Sequence, residues 1–134
     1  MKNILTKKLI LIILIPTSLI FSSTSYAGWT LAAESVSGTQ FYLDFDRMRK
    51  YSGNVYIWEL HDYLLPDSDG TLSEKLYMEV DCKKFKKRII SSTFHDSPMG
   101  EGSPQDFETS NLNEWQYPSP ESVREILIDA ACSQ

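Results

Sequence analysis

From Glu74 to Cys82 the chain alternates cleanly. Leu76, Met78, Val80 and Cys82 share one parity, and Lys75, Tyr77, Glu79 and Asp81 share the other. A period of two belongs to a half-buried strand, so this stretch predicts a strand with Cys82 on its buried face. Upstream, "WTLAAES" (Trp29–Ser35) and "TQFYLDF" (Thr39–Phe45) flank Ser37-Gly38, a turn signal, and predict a first hairpin. "VYIWELHDYLL" (Val55–Leu65) is rich in β-branched and aromatic residues and predicts the longest strand. Between these runs, "DFDRMRKYSGN" is polar and reads as a turn closed by Gly53-Asn54, and "PDSDGTLS" reads as a loop. Arg88–Asp96 predicts one more strand, followed by the glycine- and proline-rich "SPMGEGSPQ".

The period changes near the end. In "SPESVREILIDAACSQ", Ser119 suits an N-cap, Pro120 the first helical position, and Glu121 the positive end of the helix dipole. Val123, Ile126, Leu127, Ala130 and Ala131 then fall on one stripe at helical spacing, with Cys132 at the helix end. The fold class predicted is α+β: an antiparallel sheet of about five to six strands packed against a C-terminal α-helix.

The first residues set the compartment. Lys2, Lys7 and Lys8 precede a mostly apolar run from Leu9 to Phe21, and small polar residues then lead to Ala27. This three-part layout predicts a secretory signal over 1–27 and a single domain over 28–134. The apolar run is 13 residues long and holds Pro16, whereas a spanning helix needs roughly 20 apolar residues. No cysteine near the cleavage point could accept a lipid, since the first is Cys82. The expectation is an exported domain, periplasmic, secreted or at the cell surface, that is not a lipoprotein and keeps no stable membrane anchor after cleavage.

Charge narrows the partners. The leader takes three of the 13 basic residues and none of the 18 acidic ones, which leaves ten against 18 and a net charge of −8. Such a balance argues against a nucleic-acid binder. Two cysteines in an oxidising compartment most simply form one bridge, Cys82–Cys132. Neither has a metal-ligand partner at local spacing, and no Cys-x-x-Cys redox pair is present.

Against the acidic background, Lys83, Lys84, Lys86, Lys87 and Arg88 bracket Phe85 where two strands should join. Five of the ten basic residues left after the leader thus form a candidate anion- or partner-binding patch. The competing reading is a solvated hairpin end whose lysines deter edge pairing, aided by Asp81 or Glu79, with Arg88 entering the strand to make a buried ion pair. Alternation forbids all five from sharing one face. His61-Asp62 and His95-Asp96 could meet at a metal or acid–base site only if two strand ends coincide. Trp58 suits the core, and Trp115-Gln116-Tyr117-Pro118 suits covering a sheet edge. No serine sits in a Gly-x-Ser-x-Gly elbow, and the "PMGEGSP" loop has no helix after it to cradle phosphate. These residues predict no catalytic site, no cofactor and no metal.

Taken in order, several marks resemble the surface-adhesin protein E-like family of Gram-negative bacteria. They are Tyr42 and Asp44, then Gly53, Asn54, Val55 and Trp58, then Asp81-Cys82, Arg88, Gly100 and Gly102, and finally Cys132. They span Trp29 to Cys132. The resemblance implies an antiparallel sheet on a C-terminal helix with one disulfide, and a non-enzymatic role in binding host extracellular proteins such as vitronectin and laminin. Two departures stand out. The lipid-accepting cysteine of the best-known member is missing, and the loop that is basic in that member is here the acidic "PDSDGTLSE". The resemblance therefore predicts an exported binding module for a host extracellular-matrix or serum protein, with a periplasmic accessory protein serving an envelope partner as the alternative.

Overall fold

The computed structural model describes residues 28–134, and the predicted leader lies outside the described residues. Six strands follow in chain order: β1 (Trp29–Glu34), β2 (Gln40–Tyr51), β3 (Asn54–Asp62), β4 (Ser73–Asp81), β5 (Lys86–His95) and the two-residue β6 (Pro104–Gln105). Each pairs antiparallel with the next, giving one meander in the order β1 to β6. The chain closes with α1 (Val123–Cys132). This is the predicted α+β fold.

Two boundaries differ from the reading of the sequence. The polar stretch taken as a turn is the second half of β2, so β2 and not β3 is the longest strand, with 12 residues. A register shift between Asp44 and Arg49 makes this possible. Asp44 is buried and accepts the backbone N–H of Arg47 at 3.1 Å and its guanidinium Nε at 2.5 Å. Asp46, Arg47, Arg49 and Lys50 point to solvent, which a bulged strand tolerates. At the other end β3 stops at Asp62, and Leu64 and Leu65 are exposed in the following loop.

The helix also starts later than predicted. Glu121 has a left-handed backbone (φ 60°), so no helix can run through it from Pro120. Ser122, not Ser119, is the N-cap, accepting the Glu125 N–H at 3.2 Å. Its buried stripe is Leu127, Ile128 and Ala131, whereas Ile126 is 47% exposed.

The core lies between α1 and one face of the sheet, where Leu43, Val55, Ile57, Leu76, Met78 and Val80 meet that stripe. Burying an aliphatic side chain of this size contributes about 1.5–3 kcal/mol. Cys82, just past β4, is bonded to Cys132 at the end of α1, which ties the helix to the sheet. From residue 104 the chain runs back along β5. Gln116 exchanges backbone hydrogen bonds with Lys87 at 2.8 and 3.0 Å, and Asn113 donates to the Ile89 carbonyl at 2.8 Å. That edge is therefore covered, by the segment holding Trp115.

Candidate functional site

With α1 on one face, the opposite face of the sheet is left open over much of its area. The side chains there are set by strand parity: Val55 and Ile57 point to the helix, so Tyr56 and Trp58 point away. Trp58 is thus not a core residue as expected but a half-buried member of the open face. Its cross-strand partner is Tyr77, with ring centroids 5.0 Å apart, and Tyr56 lies 6.4 Å from Tyr77.

Cations continue this row on both sides. The Arg47 guanidinium lies 5.7 Å from the Trp29 ring and 5.6 Å from that of Trp58, held in place by Asp44. At the other side Arg88 is 4.6 Å from the Trp115 ring centroid, and the Lys86 ammonium is 4.3 Å from it and 5.8 Å from that of Tyr117. Between the two groups stands Glu79. It takes Arg88 at 2.6–2.7 Å, Asn54 Nδ2 at 2.7 Å and the Tyr56 hydroxyl at 3.0 Å. Burial pushes the Glu79 carboxyl up, but the hydrogen bonds from Asn54, Arg88 and Tyr56 outweigh it and hold the acid below its ordinary value. The row crosses the sheet from Trp29 on β1 to Trp115 on the segment paired outside β5, five spacings or about 24 Å for strands about 4.8 Å apart. Aromatic faces with cations stacked on them are rigid and amphipathic, and such residues concentrate binding energy in protein interfaces.

The basic run divides as the pleat requires. Lys83 and Lys84 are exposed in the β4–β5 turn, while Lys86 and Arg88 reach the open face. Lys87 cannot join the patch, because its parity turns it under the helix. There its ammonium lies 3.0 and 2.7 Å from the two Glu59 oxygens, and both side chains are buried. His61 Nε2 lies 2.5 Å from the same carboxylate, and Glu74 is 3.8 Å from His61 Nδ1. Burial pushes Glu59 up, yet Lys87 and His61 outweigh it and hold its carboxyl at about 2. For Glu74 burial wins, and its carboxyl sits above the ordinary value.

The histidines do not meet. His61 faces the helix, whereas His95 pairs with Ser73 on the other face. Among the described residues no group of three or more His, Cys, Asp or Glu side chains is arranged to hold a metal ion. At this end of the open face the turn Pro98–Gly100 folds over the sheet, the Met99 N–H donating to Asp62 Oδ1 at 2.6 Å and the Gly100 N–H to Ser73 Oγ at 2.7 Å. Arg47 and Glu59 escaped the reading of the sequence. Glu59 could have been found from its parity with Val55 and Ile57, which puts a carboxylate on a buried face and demands a cation there.

Residues 29–133 match the family described as surface-adhesin protein E. The chain belongs to that family. Its fold is similar to the solved structures of Haemophilus influenzae protein E. Crystal form II superimposes with a TM-score of 0.62 at 14% identity, covering 80% of this chain and 88% of that one. The selenomethionine form gives 0.60 at 14% identity, covering 81% and 88%. Protein E from the non-typeable bacterium gives 0.54 at 12% identity, covering 80% and 74%. No curated protein matches the chain. Members of the protein E family are surface adhesins, a non-enzymatic kind of protein. The disulfide and the terminal helix expected of such a domain are both present here.

Proposed function

We propose that this protein E-family domain is an exported, non-enzymatic binding module that docks a host extracellular-matrix or serum protein on the open face of its sheet. The observation that carries the reading is the row Trp29–Arg47–Trp58–Tyr77–Tyr56–Arg88–Trp115, a band of aromatic and cationic groups that no helix covers. Aromatic centres supply contact area with little conformational entropy to lose. Lys83, Lys84, Lys86 and Arg88 flank one end of the band and favour a partner with an acidic segment, while Lys87 serves the interior.

The experiment is surface plasmon resonance of the 28–134 domain over immobilised vitronectin and laminin, with Trp115→Ala and Trp58→Ala in parallel. Saturable binding that falls at least about tenfold in both variants, with unchanged thermal stability, supports the reading. Absence of binding to both proteins sinks it.

One observation favours the second reading, a periplasmic accessory protein for an envelope partner. The loop before β4 is acidic and carries the exposed Leu64 and Leu65, a surface unlike the basic host-binding loop that the family resemblance implies. Fractionation separates the two: a domain held entirely in the periplasm, co-purifying with an envelope protein, supports the accessory role.

A further inference from the structure

On the side of the sheet away from the aromatic band, the first turns of α1 do not close fully on the strands. They leave a cleft of about 210 Å³. Its walls are apolar, formed by Phe41, Met78, Ile89, Val123 and Leu127. Two cations line it, Lys87 from β5 and Arg124 from α1, against the carboxylate of Glu59. An apolar cavity of about 150 Å³ accepts benzene, so this one has room for an aromatic ring and a few further atoms.

The polar groups specify charge. Lys87 has three ammonium protons, and both its protein acceptors are Glu59 oxygens, which leaves it donor capacity toward the cleft. Arg124 uses one guanidinium nitrogen on the Tyr117 carbonyl at 3.3 Å and keeps the rest of its fork. The N-terminus of α1, with its positive dipole end, lies at the same place. An ion pair buried only for stability is commonly replaceable by apolar residues without loss. Here it stands at the floor of an open apolar cleft, with net positive charge among the lining groups.

We propose that this cleft binds a small carboxylic acid with an apolar body, of about the size of benzoate. The ring lies between Ile89 and Val123, and the carboxylate accepts from Lys87 and Arg124. The site is separate from the aromatic band and does not depend on what the band binds.

The test is an NMR titration of the ¹⁵N-labelled 28–134 domain with benzoate, benzyl alcohol and benzylamine. Benzoate is expected to give saturable shifts centred on Ile89, Gln116, Val123 and Leu127, with a Kd of about 1 mM or below. Benzyl alcohol should bind at least about tenfold more weakly and benzylamine not measurably, because each lacks the charge-assisted pair. Val123→Trp fills the cleft and should abolish the shifts. Arg124→Gln, which leaves the Glu59–Lys87 pair intact, should weaken benzoate about tenfold and keeps the test valid if the tryptophan variant fails to fold. Shifts that never saturate, that survive in a folded Val123→Trp variant, or that benzylamine reproduces would overturn the proposal.

Discussion

Glu59 and Lys87 meet beneath α1, two strands apart, with the ammonium 2.7 and 3.0 Å from the carboxylate oxygens and almost no access to water. Lys87 relies on Glu59, while Glu59 has a second partner in His61, whose Nε2 lies 2.5 Å away. Lys87→Met should therefore cost about 3 kcal/mol, by leaving the buried Glu59 carboxylate with His61 but without its ammonium partner. The double variant Glu59→Leu/Lys87→Met should recover most of that loss. Chemical denaturation of the two variants and the parent measures the difference; an additive double variant would show that the pair is not coupled.

The same pair predicts acid sensitivity. The Glu59 carboxyl is held down, from 4.5 to about 2 in the folded chain, so its contribution is present above pH 4.5 and is lost as pH falls toward 2. The difference corresponds to roughly 3 kcal/mol. Glu74 acts in the opposite sense: its raised carboxyl costs stability at neutral pH, and that cost is relieved as pH falls through its folded value. Denaturation midpoints between pH 6 and pH 2 should fall more steeply in the parent than in Glu59→Leu/Lys87→Met. Parallel curves would exclude Glu59 as the source.

The bridge closes a loop between Cys82 and Cys132, 50 residues apart. On the chain-entropy argument, Cys82→Ala/Cys132→Ala should lose about 4 kcal/mol. The drop should match that of the reduced parent in the same denaturant series. A loss well under 1 kcal/mol would mean that α1 docks without help.

Ser122→Ala should destabilise the domain by about 1 kcal/mol, because Ser122 Oγ caps the Glu125 N–H. Ser119→Ala, outside the helix, should stay within about 0.5 kcal/mol of the parent. Thermal melts rank the two, and a reversed order would move the helix start back to Pro120.

Lys83→Ala/Lys84→Ala alters the exposed β4–β5 turn without touching the interior. For a partner with an acidic segment it should slow association and flatten the salt dependence of binding, with little change in dissociation. An unchanged association rate would remove the turn from the docking surface.

Much of this fold was readable from local pattern. Leu76, Met78 and Val80 alternate as one strand face must, and two cysteines in an exported chain had one simple pairing. The second half of β2 was not readable, because Asp46, Arg47, Arg49 and Lys50 look like a turn until the bulge at Asp44 is known. The sequence placed the helix start at Ser119, and the left-handed backbone of Glu121, which no local pattern announces, moves it to Ser122. Of the open face, the rings were visible but not their side. The position of Trp58 follows from the parity of Val55 and Ile57, whereas the pairing of Arg47 with Trp29 and Trp58 depends on a tertiary approach that no spacing announces. The basic run showed that its members must split, and only the register against Glu59 told which one goes inside.

The bond between Cys82 and Cys132 also governs what a proteolytic cut would do to the domain. The stretch from Glu101 to Glu114 is mostly exposed and is where a protease would cut first. A cut there separates α1 from the strands in sequence but not in space, since both pieces remain joined through sulfur. The helix can then lift and settle again without diffusing away. A nicked domain keeps its core and its aromatic band until something reduces it.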